Sequence, residues 1–329
     1  MNLLTILIII LSALLLIYII TGFIIAYKIY KIEFRHRYEN NPNIKYYSFS
    51  EFNLNQRLIE IPYKKETLRG YLVDNGNYDK NKLVIFCHGA TSTIDAYAQD
   101  ISYIALKGYQ VLAINYIGVG MSTGNSLIGG SGSLFSTYQI LKYVKNNPEF
   151  KDKEIYTVGH SWGSYAASNI VKYFKDIKGF VALATYRKPT LALGNINKKY
   201  YIFLPFLFLI DYFHEGKFIL DNFLKSIKKY NGKGLVIHSN NDPIIDFNKN
   251  YIYLKEHTKN KNIEFMEVEN RLHNPEYTIA AANSYIEFTK KLNSYNTIDE
   301  KIEYMKTVDF HALGELDTVI MDKIVDFIG

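Results

Sequence analysis

Ile155-Tyr156-Thr157-Val158-Gly159-His160-Ser161-Trp162-Gly163 is the stretch on which the reading of this chain turns. Ile155 to Val158 are strand-forming residues, and Gly163 to Phe174 reads as a helix. Between them the chain must turn sharply with a serine at the tip. Flanking glycines leave room for the backbone to pass close, and the hydroxyl is left standing above the strand end. A bare G-x-S-x-G arises by chance in about one chain in ten of this length. Its place between a strand and a helix gives it weight.

A serine hydroxyl is a poor nucleophile unless a base lies within hydrogen-bond reach, itself oriented by an acid. In a strand-turn-helix setting of this kind the acid and then the histidine follow along the chain. Downstream, the stretch Gly234-Leu235-Val236-Ile237-His238-Ser239-Asn240-Asn241-Asp242-Pro243 runs off the strand Leu235–His238 into a loop at Asp242. The next strand, Ile263–Val268, is followed by Arg271-Leu272-His273. Both residues fall just past strand ends, where open α/β sheets place their sites. Asp246 is the rival acid but lies farther from its strand. His257, inside a helix, and His311, near the C-terminus, are the rival bases. Upstream, Phe86-Cys87-His88-Gly89-Ala90 ends the strand that begins at Lys82. The N–H groups of Ala90 and Trp162 are the natural donors to a developing oxyanion. His88 and His238 read as structural, and His160 as packing behind the turn.

Around these blocks, strands alternate with helices. Arg57–Tyr63 and Thr67–Asp74 read as an edge hairpin. Lys82–Phe86, Tyr109–Asn115, Glu154–Val158, Gly179–Ala184, Leu235–His238 and Ile263–Val268 read as further strands. Helical segments at Asp95–Lys107, Gly132–Asn146 and Phe247–His257 separate several of them. This alternation predicts a mainly parallel sheet with helices on both faces. Residues 186–231 interrupt it with the apolar run Tyr200–Ile210, too short to cross a bilayer and placed as a cap over the strand ends.

His-Gly, Gly-His-Ser-x-Gly, Asp and His in this order resemble the α/β-hydrolase fold superfamily, nearest its serine hydrolases, over about residues 56–293. The resemblance implies Ser161 as nucleophile, His273 as base, Asp242 as triad acid, and Ala90 and Trp162 as the oxyanion hole. It implies an acyl-enzyme route with an ester as the first substrate class. Amide-cleaving relatives carry the same blocks, and Asp211 or Glu215 would then hold a free amine. A binding module without catalysis is the reading from another class. Many relatives have Asp-x-Arg-Gly-x-Gly where this chain has Asn115-Tyr116-Ile117-Gly118-Val119-Gly120. That departure removes a structural ion pair and leaves the subfamily open. The same glycines lack dinucleotide-loop spacing, and no metal-ligand spacing occurs, so no cofactor or metal is implied.

From Leu3 to Tyr27 there are 25 residues without a charge. As a helix they reach roughly 37 Å, against a hydrocarbon core of about 30 Å. Residues 1–27 are therefore expected to anchor the chain in a membrane. Lys28, Lys31, Arg35 and Arg37 follow, which places the remainder on the cytoplasmic side as a single-pass protein. Residues 28–55 read as a basic and polar tether, and 294–329 as a helical extension that can dock on the core. Among 329 residues, 21% are charged and 48% hydrophobic, which suits a globular domain. The net charge of +6 is spread along the chain, with no basic block for nucleic acid. One cysteine, Cys87, excludes an intrachain disulfide framework. Cap and anchor together point to an apolar or lipid-derived acyl substrate.

Overall fold

Leu83, Ile85 and Cys87 pack into one apolar layer, while Val84 and Phe86 pack into another. That period of two, with every one of these residues buried, marks a strand covered on both faces. The computed structural model describes residues 2–127, 129–189 and 198–329. Its strands are β1 (Asn55–Tyr63), β2 (Glu66–Asp74), β3 (Lys82–Cys87), β4 (Val111–Ile114), β5 (Glu154–His160), β6 (Gly179–Leu183), β7 (Lys233–Ser239) and β8 (Ile263–Val268). They form one sheet in the order β1-β2-β4-β3-β5-β6-β7-β8. β1 and β2 make the edge hairpin and β2 runs antiparallel to β4; the pairs from β4 through β8 are parallel.

The longer helices are α1 (Leu3–Phe34), α2 (Ala98–Leu106), α3 (Gly132–Asn146), α4 (Trp162–Asn169), α5 (Leu204–Glu215), α6 (Ile279–Ser294), α7 (Ile298–Lys306) and α8 (Thr318–Ile328). α3 and α4 cover one face of the sheet, α2 and α8 the other. β4 and β5 flank β3 on opposite sides, so the winding reverses there. Such a reversal opens a crevice at the carboxyl ends of β3 and β5.

Two segments differ from the sequence expectation. α4 stops at Asn169 and tightens into a 3-10 turn, Ile170–Lys172, where a helix to Phe174 was expected. Asn169 Nδ2 donates to the Tyr165 carbonyl, a local bond that competes with the helical ladder. Residues 28–55, expected as a tether, are bound to the domain. α1 continues to Phe34, and the Arg37 guanidinium then holds the carbonyls of Ser122 and Gly124 at 2.9 and 2.7 Å, and that of Gly120. Tyr38 N–H donates to Gly118 at 2.9 Å, so this strap closes the glycine loop after β4. The C-terminal extension docks on the core: α8 buries Ile320, Met321, Ile324, Val325, Phe327 and Ile328 against the sheet. Of the expected cap at 186–231, residues 190–197 lie outside the described residues; α5 packs on α1 through Phe206, Leu207 and Ile210.

Candidate active site

Ser161 sits at the junction of β5 and α4 with φ +53°, a backbone region that a serine enters only where the surroundings hold it. Its N–H donates to the Leu183 carbonyl at 2.9 Å, tying the turn to β6. The glycines on either side are steric requirements. A Cβ at Gly159 would meet the Gly163 carbonyl, and one at Gly163 would lie on the Cys87 carbonyl oxygen. The hydroxyl is thereby presented above the sheet.

β7 ends at Ser239, and the loop after it turns Asp242 back under the site. Asp242 Oδ1 accepts the N–H groups of Ile244 and Ile245 at 2.8 and 2.9 Å, which fixes the carboxylate plane. The loop after β8 brings in His273. Its Nδ1 lies 2.9 Å from Asp242 Oδ2, and its Nε2 lies 2.9 Å from Ser161 Oγ. A carboxylate can only accept, so Nδ1 carries the proton and Nε2 is free to take one from the serine. Burial alone would raise the Asp242 carboxyl, but hydrogen bonds from His238 and His273 outweigh it and hold the group well below the usual carboxylate range. It is therefore an anion at neutral pH.

Ala90 and Trp162 line the same cavity as Ser161 and His273. α4 begins at Trp162, so the N–H of Trp162 has no carbonyl four residues back in the helix. Trp162 Nε1 donates to the Gly130 carbonyl at 2.8 Å, and Ser133 Oγ donates to the Trp162 carbonyl at 2.8 Å. Both bonds hold this helix start rigid. The cavity measures about 550 Å³, and Phe34, Leu127, Tyr186, Ile244 and Ile245 make its walls mainly apolar. A hollow of about 610 Å³ beside Tyr63 and Tyr143 contains none of these groups.

The other titratable residues weighed from sequence lie elsewhere or support the first set, apart from Glu215, whose side chain lies outside the described residues. Asp246 accepts the Lys249 N–H and caps a helical turn. His257 bonds the Tyr253 carbonyl on the surface, and His311 stacks on Tyr47. Asp211 is buried and takes the Gly130 N–H with both oxygens at 3.1 Å, so it braces the cap against the loop that holds Trp162. His88, buried, accepts the Tyr116 N–H at Nε2.

Two contacts escaped the sequence reading. His238 Nε2 lies 3.1 Å from Asp242 Oδ2, a second imidazole on the same carboxylate. Its four-residue spacing from Asp242 was the available signal. His160 joins two parts of the site. Its Nε2 donates to the His273 carbonyl at 2.8 Å, and its Nδ1 accepts from the Tyr97 hydroxyl at 2.8 Å, which in turn accepts the Gly89 N–H. Burial pushes His160 down to about 3, so this link stays neutral through the physiological range. Burial also pushes Asp100 up to about 7 and Glu276 well above the usual range, leaving Asp242 as the strong anion beside His273. Tyr97→Phe breaks the chain from Gly89 to His273 at a buried hydroxyl that does not line the cavity. We expect it to lower kcat about tenfold, the equivalent of one lost buried hydrogen bond, with KM unchanged. Steady-state kinetics of this variant on a short-chain ester check it; an unchanged kcat would remove Tyr97 and His160 from any positioning role.

The same architecture recurs in solved structures. An esterase of Pyrococcus furiosus superposes with a TM-score of 0.56 at 20% identity, covering 82% of this chain and 98% of that one. Est1E of Butyrivibrio proteoclasticus, solved with ferulic acid bound, gives 0.53 at 16% identity over 72% of this chain and 100% of that one. The fold is that of the α/β-hydrolases. An α-β hydrolase of Vibrio vulnificus gives 0.50 at 16% identity, covering 73% of this chain and 80% of that one. The α/β-hydrolase sheet thus accounts for the crevice at β3 and β5, with Ser161 at its centre. A family model described as Serine aminopeptidase, S33, matches residues 78–207, the part that runs from before β3 into α5. No curated protein matches the chain.

Proposed function

We propose that this protein is a serine hydrolase that cleaves a carboxylic ester with an apolar acyl group. The relay of Ser161, His273 and Asp242 at 2.9 Å steps carries the reading. His273 Nε2 takes the serine proton as Oγ bonds to the carbonyl carbon. The N–H groups of Ala90 and Trp162 hold the oxyanion. Collapse breaks the bond to the leaving alcohol, which departs with the proton from His273. Water, deprotonated by the same nitrogen, then attacks the acyl-enzyme, and the acid leaves as Ser161 regains its proton. Two lines support ester and apolar acyl: the walls of Phe34, Leu127, Tyr186 and Ile245, and the fold shared with esterases. α1 is long and apolar enough to cross a membrane, and we read it as the anchor. The basic residues after it orient the domain toward the cytoplasm.

A second reading has one specific observation behind it. Glu33, at the end of α1, lines the cavity, where a carboxylate would receive a free amine, and the matched family model is described as an aminopeptidase. A panel of p-nitrophenyl esters and aminoacyl anilides separates the two. The ester reading expects kcat/KM to rise with acyl length, by up to about fourfold per buried methylene, with Glu33→Gln leaving esters unaffected. Faster turnover of the anilides, lost in Glu33→Gln, would install the peptidase instead.

A further inference from the structure

The cap helix and the anchor helix are one packed unit. The Phe206 ring lies edge-on to Tyr18 at 5.7 Å and to Phe23 at 5.1 Å, and a Cβ at Gly22 would collide with it. At the other end of α5, His214 stacks on Tyr30 at 5.3 Å, so the two helices run parallel. A bilayer crossing takes about 17–25 residues. With the uncharged run starting at Leu3, every such span contains Tyr18. If α1 crosses a bilayer, the N-terminal end of α5 therefore reaches at least the edge of the hydrocarbon.

The surface of the cap fits that place. Ile202 is 59% exposed and Phe213 81% exposed, with Leu209 and Tyr212 also open on the outer side. α1 then joins this surface to the reaction site. Glu33 and Phe34, at its last turn, line the cavity that contains Ser161, and Ile244 at the same cavity is exposed. Phe34 is seven residues past Tyr27, about 10 Å along the axis, a headgroup-layer distance from the end of the apolar run.

We propose that α5 is seated in the bilayer interface beside α1, and that the Ser161 cavity draws its substrate, an acyl ester resident in that same leaflet, directly from the membrane. The substrate half of this inference rests on the serine-hydrolase reading; the seating of α5 rests on α1 as a span. A lipid ester is then presented with its carbonyl at headgroup level, where Phe34 and Ile244 border the cavity, and no transfer through water is needed.

The test uses the full-length protein reconstituted in phosphatidylcholine vesicles. Ile202→Cys and Phe213→Cys variants carry an environment-sensitive fluorophore; Cys87 is buried and stays unlabelled. Lipids brominated near the headgroup end of their chains are expected to quench both positions and to leave Val319→Cys, on α8, unquenched. Absence of quenching at Ile202 and Phe213, whether from water or from a second copy of the chain covering them, overturns the proposal. Phe213→Glu is then compared with the parent on two substrates. Turnover of a long-chain diacylglycerol within the vesicle is expected to fall about tenfold, while a soluble acetyl ester is cleaved as before. Equal effects on both substrates would overturn membrane entry. Quenching without any fluorophosphonate labelling of Ser161 would sink the hydrolase reading and with it the substrate half, while the seating of α5 would stand.

Discussion

With Ser161 replaced by alanine, the full-length protein in detergent micelles is expected to lose fluorophosphonate labelling completely and to hydrolyse esters roughly 10⁴–10⁶-fold more slowly. The reasoning is geometric. Ser161 Oγ is the hydroxyl that His273 Nε2 reaches at 2.9 Å, and the other imidazole nitrogen is committed to Asp242. His273→Ala should cost about as much as the serine, because neither acts without the other. The double variant should be no slower than either single one. Asp242→Asn is expected to cost about 10⁴-fold, since its amide would present N–H to Nδ1 and favour the tautomer that leaves Nε2 protonated. Labelling and single-turnover kinetics of the four variants check this. A Ser161→Ala protein that still labels, or penalties that multiply in the double variant, would remove the triad from the account.

Deleting residues 316–329 is expected to abolish folding of the domain, although the segment lies far from Ser161 in sequence. α8 buries six apolar side chains, each contributing about 1.5–3 kcal/mol, a sum comparable with the entire stability of a typical domain. The same stretch holds the loop of His273 in place. Arg271 pairs with Asp317 at 2.7 Å, Asp317 N–H donates to the Glu276 carbonyl at 2.8 Å, and Tyr277 forms a bridge with Leu316. A milder variant grades the effect. Ile324→Ala, at a fully buried position, should cost about 2–5 kcal/mol, and each kcal/mol should lower Tm by about 2–4 °C in a domain this size. Val319→Ala, on the exposed side of α8, should leave Tm unchanged. Thermal unfolding followed by circular dichroism decides it. A truncated protein that melts like the parent would mean that α8 only decorates the sheet.

Much of this molecule is legible from the order of its residues. Strand 155–158, its turn at Ser161 and the helix beyond follow from short-range chemistry: β-forming residues, two glycines whose Cβ positions are blocked by backbone, and a serine between them. The parallel sheet follows from alternation, and Asp242 and His273 stand out because they lie just past strand ends. The long apolar helix α1 is legible from an uninterrupted absence of charge. Those signals are local, within ten or so residues. What escaped was set by packing between segments far apart. His238 turns toward Asp242 because its strand and loop fold back on themselves, and His160 reaches the His273 carbonyl across 113 positions. Arg37 leaves the tether for the carbonyls of the loop at 120–124, where nothing in its neighbourhood marked it as bound. The last turn of α1 comes to line the cavity of Ser161 because the Phe206 ring fits over Gly22, a contact between residues 184 positions apart. No periodicity or motif encodes such contacts, since each depends on which surfaces meet once the sheet and its helices have closed.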